Sequence, residues 1–103
     1  MVSTTWYVYI IQSSDERLYT GITTDIQRRW SEHLNSKKGA KFFRGRKPKA
    51  LLFIFQAENR SEASTVEAKI KRMKKADKIN MINSPANEIS IVQNILPVEL
   101  LEK

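Results

Sequence analysis

The sequence of 103 residues contains no cysteine and a single histidine. The absence of cysteine excludes a disulfide-stabilised scaffold, a thiol nucleophile and a zinc site built on thiolates. With one histidine, a metal site made of several imidazoles is excluded as well. Apolar runs such as Leu51 to Phe55 are far shorter than the roughly 20 residues that a membrane-spanning helix needs. Because Met1 to Thr5 also show no secretory signal, we expect a cytoplasmic protein without a membrane partner.

What the sequence has in excess is positive charge. It contains 18 Lys and Arg against 11 Asp and Glu, a formal net charge of +7, and 41% of its residues are hydrophobic. This composition and length are typical of one soluble globular domain with a single core. The basic excess makes polyanions the first class of partner to consider, with nucleic acid ahead of anionic membrane, although the same charge also serves solubility.

Most of this charge falls in two segments of the chain. Seven basic residues and no acidic one lie between positions 37 and 49, and six basic residues with one acid lie between positions 69 and 78. We expect both segments to bind the phosphates of nucleic acid. The residues expected to do so are Lys37, Lys38, Lys41, Arg44, Arg46, Lys47, Lys71, Lys74 and Lys75. Phe42 and Phe43, between these charges, are expected in the core or at a hinge, with base stacking as the alternative.

Three apolar runs predict three strands. Trp6 to Ile11 is continuously apolar and aromatic, as expected for a strand buried on both faces. Leu18 to Ile22 follows a polar turn and predicts a hairpin with the first strand. A third strand is predicted over Ala50 to Ala57. If Tyr9 lies opposite Tyr19 in the hairpin, both phenols project from the same face of the sheet.

The first helix is predicted to begin at Asp25. Thr24 and Gln27 have the spacing of a capping box, in which each side chain hydrogen-bonds to the backbone at the position of the other. The expected buried stripe comprises Ile26, Trp30 and Leu34. Arg29 and His33 lie four residues apart along one edge of this stripe, where side chains can reach a cleft.

Two further helices follow the third strand. Ser61 is expected to cap the second helix, and apolar residues at spacings of three and four mark its buried stripe. These residues are Ala63, Val66, Ile70 and Met73. A short third helix is predicted over 76–83. The order β-β-α-β-α-α predicts an α/β (α+β) fold with a small three-stranded, mainly antiparallel sheet flanked by helices. We expect the domain to span residues 1–84, with residues 85–103 as a tail that packs on it or forms a last helical turn.

Two short motifs and their spacing resemble a known family. Tyr7-Val8-Tyr9 and Tyr19-Thr20-Gly21 resemble the paired motifs of the GIY-YIG nuclease superfamily, with Tyr7 in place of Gly and Thr20 in place of Ile. Arg29 and His33 match its helical Arg-x-x-x-His element, and Glu67 matches the glutamate on its next long helix. The resemblance covers roughly residues 5–83 and is closest to the small stand-alone bacterial members, the UPF0213-like type.

This resemblance implies an endonuclease that hydrolyses DNA phosphodiester bonds, in repair or recombination, with one divalent cation. Mg²⁺ or Mn²⁺ would be held by Glu67 and otherwise by water and phosphate oxygens, because such a cation keeps several waters and needs few protein carboxylates. Arg29 would neutralise charge in the transition state. Either Tyr9 or Tyr19 would act as the general base, and His33 would position water or relay a proton.

Two other classes of function stay open at the level of sequence. The same residues suit a nucleic-acid-binding module that keeps the fold without turnover, because a basic surface is sufficient for binding. A protein-interaction domain that binds an acidic partner through its basic face is the third candidate. We assume a monomer.

Overall fold

The fold is a three-stranded antiparallel sheet with helices on both faces, as predicted. A computed structural model describes residues 4–35 and 38–92. Its elements are β1 (Trp6–Ser13), β2 (Leu18–Thr23), α1 (Ile26–Asn35), a first 3₁₀ helix (Lys41–Phe43), β3 (Pro48–Ala57), α2 (Arg60–Lys71), α3 (Lys75–Ile82) and a last 3₁₀ helix (Ile89–Val92). The strand order is β2-β1-β3. Within the described residues, no helix is long and apolar enough to cross a membrane.

The central strand β1 is buried on both faces because alternate side chains enter two separate apolar clusters. Tyr9 and Ile11 pack with α1 and the first 3₁₀ helix on one face. Val8 and Ile10 pack with α2 and α3 on the other. The sheet is therefore covered on both sides, which explains why β1 lacks the polar alternation of a half-exposed strand.

The hairpin register differs from the prediction by two residues. Tyr9 lies opposite Gly21, and Tyr19 lies opposite Ile11. The reason is the turn: the buried hydroxyl of Ser13 accepts the backbone N–H of Arg17 at 3.0 Å, and Glu16 adopts the left-handed conformation that closes a three-residue loop. Because the shift is an even number, both tyrosines still project from one face.

The start of α1 also differs from the prediction. Asp25 caps the helix by accepting the backbone N–H of Arg28 at 3.0 Å, so the predicted capping box of Thr24 and Gln27 is wrong. Asp25 is itself oriented by Thr23, whose hydroxyl oxygen accepts the Asp25 N–H at 3.1 Å. A carboxylate is as good a cap as a hydroxyl, and its charge also interacts favourably with the helix dipole.

The buried stripe of α1 is rotated from the predicted one. His33 is buried, whereas Leu34, predicted in the core, is 39% exposed. The stripe therefore runs through Ile26, Trp30 and His33, at spacings of four and three. Phe43 is buried, which confirms its expected place in the core.

The other helix and strand boundaries differ from the predicted ones by one or two residues. Asn59, not the predicted Ser61, caps α2 by accepting the N–H of Glu62 at 2.8 Å. The third strand begins two residues earlier than predicted, at Pro48, and α3 is shifted by one residue.

The segment after α3 covers the free edge of β3. The side chain of Asn87 accepts the N–H of Ile54 at 3.2 Å and donates to the carbonyl of Leu52 at 2.7 Å. The backbone N–H of Glu88 donates to the Ile54 carbonyl at 2.9 Å. These bonds satisfy an edge strand that would otherwise present unpaired groups. The rest of the tail, beyond residue 92, lies outside the described residues.

Candidate active site

The structure brings Tyr9, Tyr19, Arg29 and His33 together on the α1 face of the sheet. The Tyr9 hydroxyl oxygen lies 2.8 Å from Nε2 of His33. The ring centroids of Tyr9 and Tyr19 are 6.2 Å apart, and those of Tyr19 and His33 are 5.5 Å apart in an edge-on contact. Four residues that the sequence separates by up to 24 positions thus form one cluster.

The protonation of His33 follows from its two partners. Nδ1 accepts the backbone N–H of Ala40 at 3.1 Å, so in the neutral ring the proton is on Nε2, which donates to the Tyr9 oxygen. Burial, followed by the charge of Arg29, lowers the pKa of His33 from its ordinary 6.5 to about 4. His33 is therefore neutral at physiological pH and acts toward Tyr9 as a hydrogen-bond donor.

Tyr9 is 2% exposed and is neutral in the free protein. Burial and the neighbouring Tyr19 raise its pKa above the ordinary value of 10.0, and the charge of Glu67 acts in the same direction. The guanidinium of Arg29 lies beside the Tyr9 hydroxyl and opposes this shift by stabilising the phenolate. A phenolate at this position consequently requires further positive charge.

Gly21 makes room for the Tyr9 hydroxyl. A Cβ atom at this position would lie 2.5 Å from the Tyr9 hydroxyl oxygen and 3.0 Å from Cε2 of Tyr19. Real carbon atoms do not approach so closely, because the contact is well inside the van der Waals distance. The glycine of the second motif is thus required by packing against the first motif.

Arg29 is oriented by two acceptors on the same side of the guanidinium. Its Nη1 donates to Oε1 of Glu32 and to the carbonyl oxygen of Lys38, both at 2.9 Å. The side chains of Arg29 and Glu32 are 26% and 21% exposed, so the pair lies at the rim of the cluster. The hydrogen bond from Arg29 lowers the pKa of Glu32 and keeps it ionised. The motifs gave no indication of Glu32; its position three residues after Arg29 on the same helix was the available signal.

Glu67 approaches the cluster from the other face of the sheet. It stands on α2, 21% of its side chain is exposed, and its Oε2 pairs with Nζ of Lys71 at 3.2 Å. Its charge influences the pKa of Tyr9, but among the described residues it has no hydrogen bond or ion pair with the other four. The structure therefore places Glu67 within electrostatic range of the cluster without direct contact.

The donor set around Glu67 fits only one kind of metal ion. No group of three or more His, Asp or Glu side chains comes together within the part of the chain that the structure describes. A single, partly exposed carboxylate suits a hydrated Mg²⁺ or Mn²⁺ whose remaining ligands are water and phosphate oxygens. It does not suit a cation enclosed by protein ligands, such as structural zinc.

The predicted phosphate-binding residues differ in their exposure and in their ion pairs. Lys38, Lys41, Arg44, Lys47 and Lys74 have exposed side chains. Lys71 is paired with Glu67, and Lys37 lies outside the described residues.

Arg46 differs from the other predicted phosphate-binding residues because its charge is used within the protein. Its Nε pairs with Asp15 at 3.1 Å, its Nη1 donates to the Phe42 carbonyl at 2.9 Å, and its guanidinium stacks 4.7 Å from the Phe42 ring centroid. These contacts hold the loop after α1 against the β1–β2 turn. Arg46 therefore has a structural role, whatever it contributes to binding.

Comparison with known proteins shows the family to which the chain belongs. Residues 5–80 match the GIY-YIG catalytic domain. The chain is 41% identical to UPF0213 protein DP2720 of Desulfotalea psychrophila, covering 84% of this chain and 79% of that protein. It is 35% identical to UPF0213 protein YhbQ of Escherichia coli K12, covering 94% and 96%. The solution NMR structure of UPF0213 protein BH0048 from Bacillus halodurans has a TM-score of 0.52 and 32% identity, covering 88% and 96%. The chain therefore belongs to the GIY-YIG domain family and, within it, to the UPF0213 group.

Proposed function

We propose that this protein is an endonuclease that hydrolyses DNA phosphodiester bonds with one divalent cation, Mg²⁺ or Mn²⁺, and acts in DNA repair or recombination. The observation that carries the proposal is the position of the Tyr9 hydroxyl oxygen, which accepts a hydrogen bond from Nε2–H of His33 and lies beside Arg29. A buried phenol between two such donors is arranged to carry negative charge. Membership of the GIY-YIG family supports phosphodiester hydrolysis as the chemistry.

Arg29 is the residue that binds the substrate phosphate. Glu32 and the Lys38 carbonyl occupy Nη1, which leaves the other guanidinium donors for the Tyr9 side and for a phosphoryl oxygen. A planar guanidinium held in one orientation stabilises charge on a phosphoryl group without reorganising during the reaction.

Tyr9 is the better of the two candidate general bases. Its oxygen already accepts from His33, and Arg29 favours its charged form, whereas Tyr19 contacts Phe42 and Phe43 through its ring, with centroids 5.2 Å away in both cases. To act as the base, Tyr9 must first release its own proton to solvent, which requires added positive charge near the phenol. The phenolate oxygen then takes the proton of the attacking water. His33, through Nε2–H, then stabilises the phenolate.

Glu67 would hold the cation. When bound there, the cation would polarise the phosphoryl oxygens and stabilise the leaving oxygen. Lys71, which pairs with Glu67 in the free protein, would become available to a neighbouring phosphate.

The two basic segments meet at one end of the sheet, which favours nucleic acid as the substrate. They lie on opposite faces, and both contact the β1–β2 turn: Arg46 pairs with Asp15 at 3.1 Å, and Nζ of Lys75 donates to the Glu16 carbonyl at 3.0 Å. Exposed Lys47 and Arg17 lie in the same region. The positive charge therefore extends around one end of the molecule, where it can follow a phosphate backbone.

A non-catalytic nucleic-acid-binding module is the second candidate. It is favoured by the internal pairing of the charged site residues, since Arg29 binds Glu32 and Glu67 binds Lys71. In that case the site would be a closed hydrogen-bond network and the basic surface alone would be functional.

A cleavage screen separates the two candidates. The purified protein is incubated with duplex, single-stranded, flap and junction DNA and with matching RNA, with Mg²⁺, with Mn²⁺ and with a chelator. We expect divalent-dependent cleavage of DNA that is lost in Glu67→Ala and kept in Glu58→Ala, an exposed carboxylate just before the same helix. Binding of DNA without cleavage of any substrate would favour the binding module. Absence of binding even at low salt would contradict both.

A further inference from the structure

Three consecutive positions after α1 contact both of the polar residues that this helix contributes to the site. The carbonyl of Lys38 accepts from Nη1 of Arg29 at 2.9 Å. The backbone N–H of Ala40 donates to Nδ1 of His33 at 3.1 Å. Both contacts use the backbone of the segment, so they do not depend on the side chains of Lys38 and Ala40.

Gly39, between them, holds the segment directly against the helix. A Cβ atom at Gly39 would lie 2.6 Å from the carbonyl oxygen of Glu32 and 2.8 Å from Cα of His33. Both are backbone atoms of α1, which cannot rotate away as a side chain can. Only glycine allows the segment to lie this close, and the closeness brings the neighbouring backbone groups into hydrogen-bond range.

We propose that Lys38–Ala40 is a positioning segment that orients Arg29 and selects the tautomer of His33. This inference rests on the proposed nuclease function and adds residues to its machinery. A neutral imidazole has two tautomers, and a backbone donor at Nδ1 selects the one with the proton on Nε2. That tautomer donates to Tyr9, whereas the other would accept from Tyr9 and remove the donor that stabilises its phenolate.

The segment also lies next to residues that are proposed to bind the substrate. It immediately precedes the exposed cations Lys41 and Arg44, so the loop proposed to bind phosphates is continuous with the backbone that orients the catalytic side chains. A merely structural role would anchor the loop but would leave the imidazole tautomer unchanged when the Ala40 N–H is removed.

The direct test replaces the Ala40 N–H by an ester oxygen, through incorporation of lactic acid at this position. The change removes one hydrogen and leaves the side chain in place. His33 is the only histidine in the sequence, so its ¹⁵N imidazole signals are assigned without ambiguity. We expect a single Nε2–H tautomer in the unmodified protein and a mixture of tautomers in the ester. Gly39→Ala, which forces the segment off α1, should produce the same change.

The matched control is lactic acid at Ala76. This residue lies in the first turn of α3, where backbone N–H groups have no partner within the helix, so the imidazole signals and the cleavage rate should both stay as in the unmodified protein. For the ester at Ala40, kcat should fall about tenfold with KM unchanged, the loss expected for one hydrogen bond that acts in the transition state.

The outcomes distinguish this inference from the proposed function. An ester at Ala40 with unchanged imidazole signals would overturn the positioning role even if the protein is a nuclease. Absence of cleavage of every substrate would contradict the proposed function. The imidazole signals would still show whether the segment selects the tautomer of His33. If the ester does not fold, a scalar coupling across the hydrogen bond between the Ala40 nitrogen and Nδ1 of His33 in the unmodified protein decides: its presence supports the contact and its absence contradicts it.

Discussion

His33 Nε2 and the hydroxyl oxygen of Tyr9 lie 2.8 Å apart, which joins the first helix to the central strand at the two side chains best suited to proton chemistry. Because Nδ1 is occupied by the Ala40 N–H, His33 can donate to Tyr9 but cannot take its proton while that contact persists. The pair is thus arranged to stabilise a phenolate once it has formed.

The pH dependence of stability should reveal the buried, neutral imidazole. The pKa of His33 is about 4 in the folded protein, whereas in the unfolded chain it has its ordinary value of 6.5. Between these two pH values the unfolded chain therefore binds a proton that the folded protein does not. Burial of the neutral His33 ring therefore contributes fully to the free energy of unfolding above pH 6.5. This contribution is lost as the pH falls toward 4. Over this range the free energy of unfolding should fall by about 3 kcal/mol more for the wild type than for His33→Gln. Chemical denaturation at several pH values measures the difference, and parallel profiles would contradict the assignment.

Substitution of Gly21 should disturb Tyr9. In Gly21→Ala the new Cβ would lie 2.5 Å from the Tyr9 hydroxyl oxygen, and relief of this clash should lower the free energy of unfolding by about 1–3 kcal/mol. Tyr9→Phe removes the nearest clashing atom, so the double variant should regain part of the stability lost by Gly21→Ala. A double-mutant cycle by denaturant unfolding measures this coupling. Additive effects would show that Gly21 does not act through Tyr9.

The exposed basic residues should contribute to DNA affinity without contributing to folding. Lys41→Gln with Arg44→Gln should reduce the salt slope of DNA binding by about 2, since each phosphate contact contributes close to one unit. The melting temperature should be unchanged. Arg46→Gln should instead lower the melting temperature, because Arg46 joins the loop to Asp15 and Phe42.

The control for this experiment uses two exposed cations outside both basic segments, Arg28 and Arg60. Their replacement by Gln removes the same charge from other parts of the surface. Equal loss of slope in both double variants would show that only the net charge matters.

The sequence was sufficient to predict the order of elements, the strand buried on both faces and the family motifs, because each depends on local patterns of apolar or polar residues. It was not sufficient for the partners of His33. Leu34 is the more apolar of the two neighbours, yet His33 is buried, since its nitrogens are satisfied by a strand residue 24 positions earlier and a loop amide seven positions later. The hairpin register likewise depends on the Ser13 hydroxyl and on the left-handed Glu16, which no periodicity reveals.

The most direct test of the proposed active site compares two neighbouring arginines on one helix. Arg29 is held beside Tyr9, whereas Arg28 is exposed, so substitution of either removes the same charge from nearly the same place. Single-turnover cleavage of DNA with Mg²⁺ should fall by about 100-fold or more in Arg29→Ala, the loss typical of a group that stabilises transition-state charge. It should change by less than about threefold in Arg28→Ala, as expected for a surface cation. Equal rates in the two variants would contradict the proposed active site.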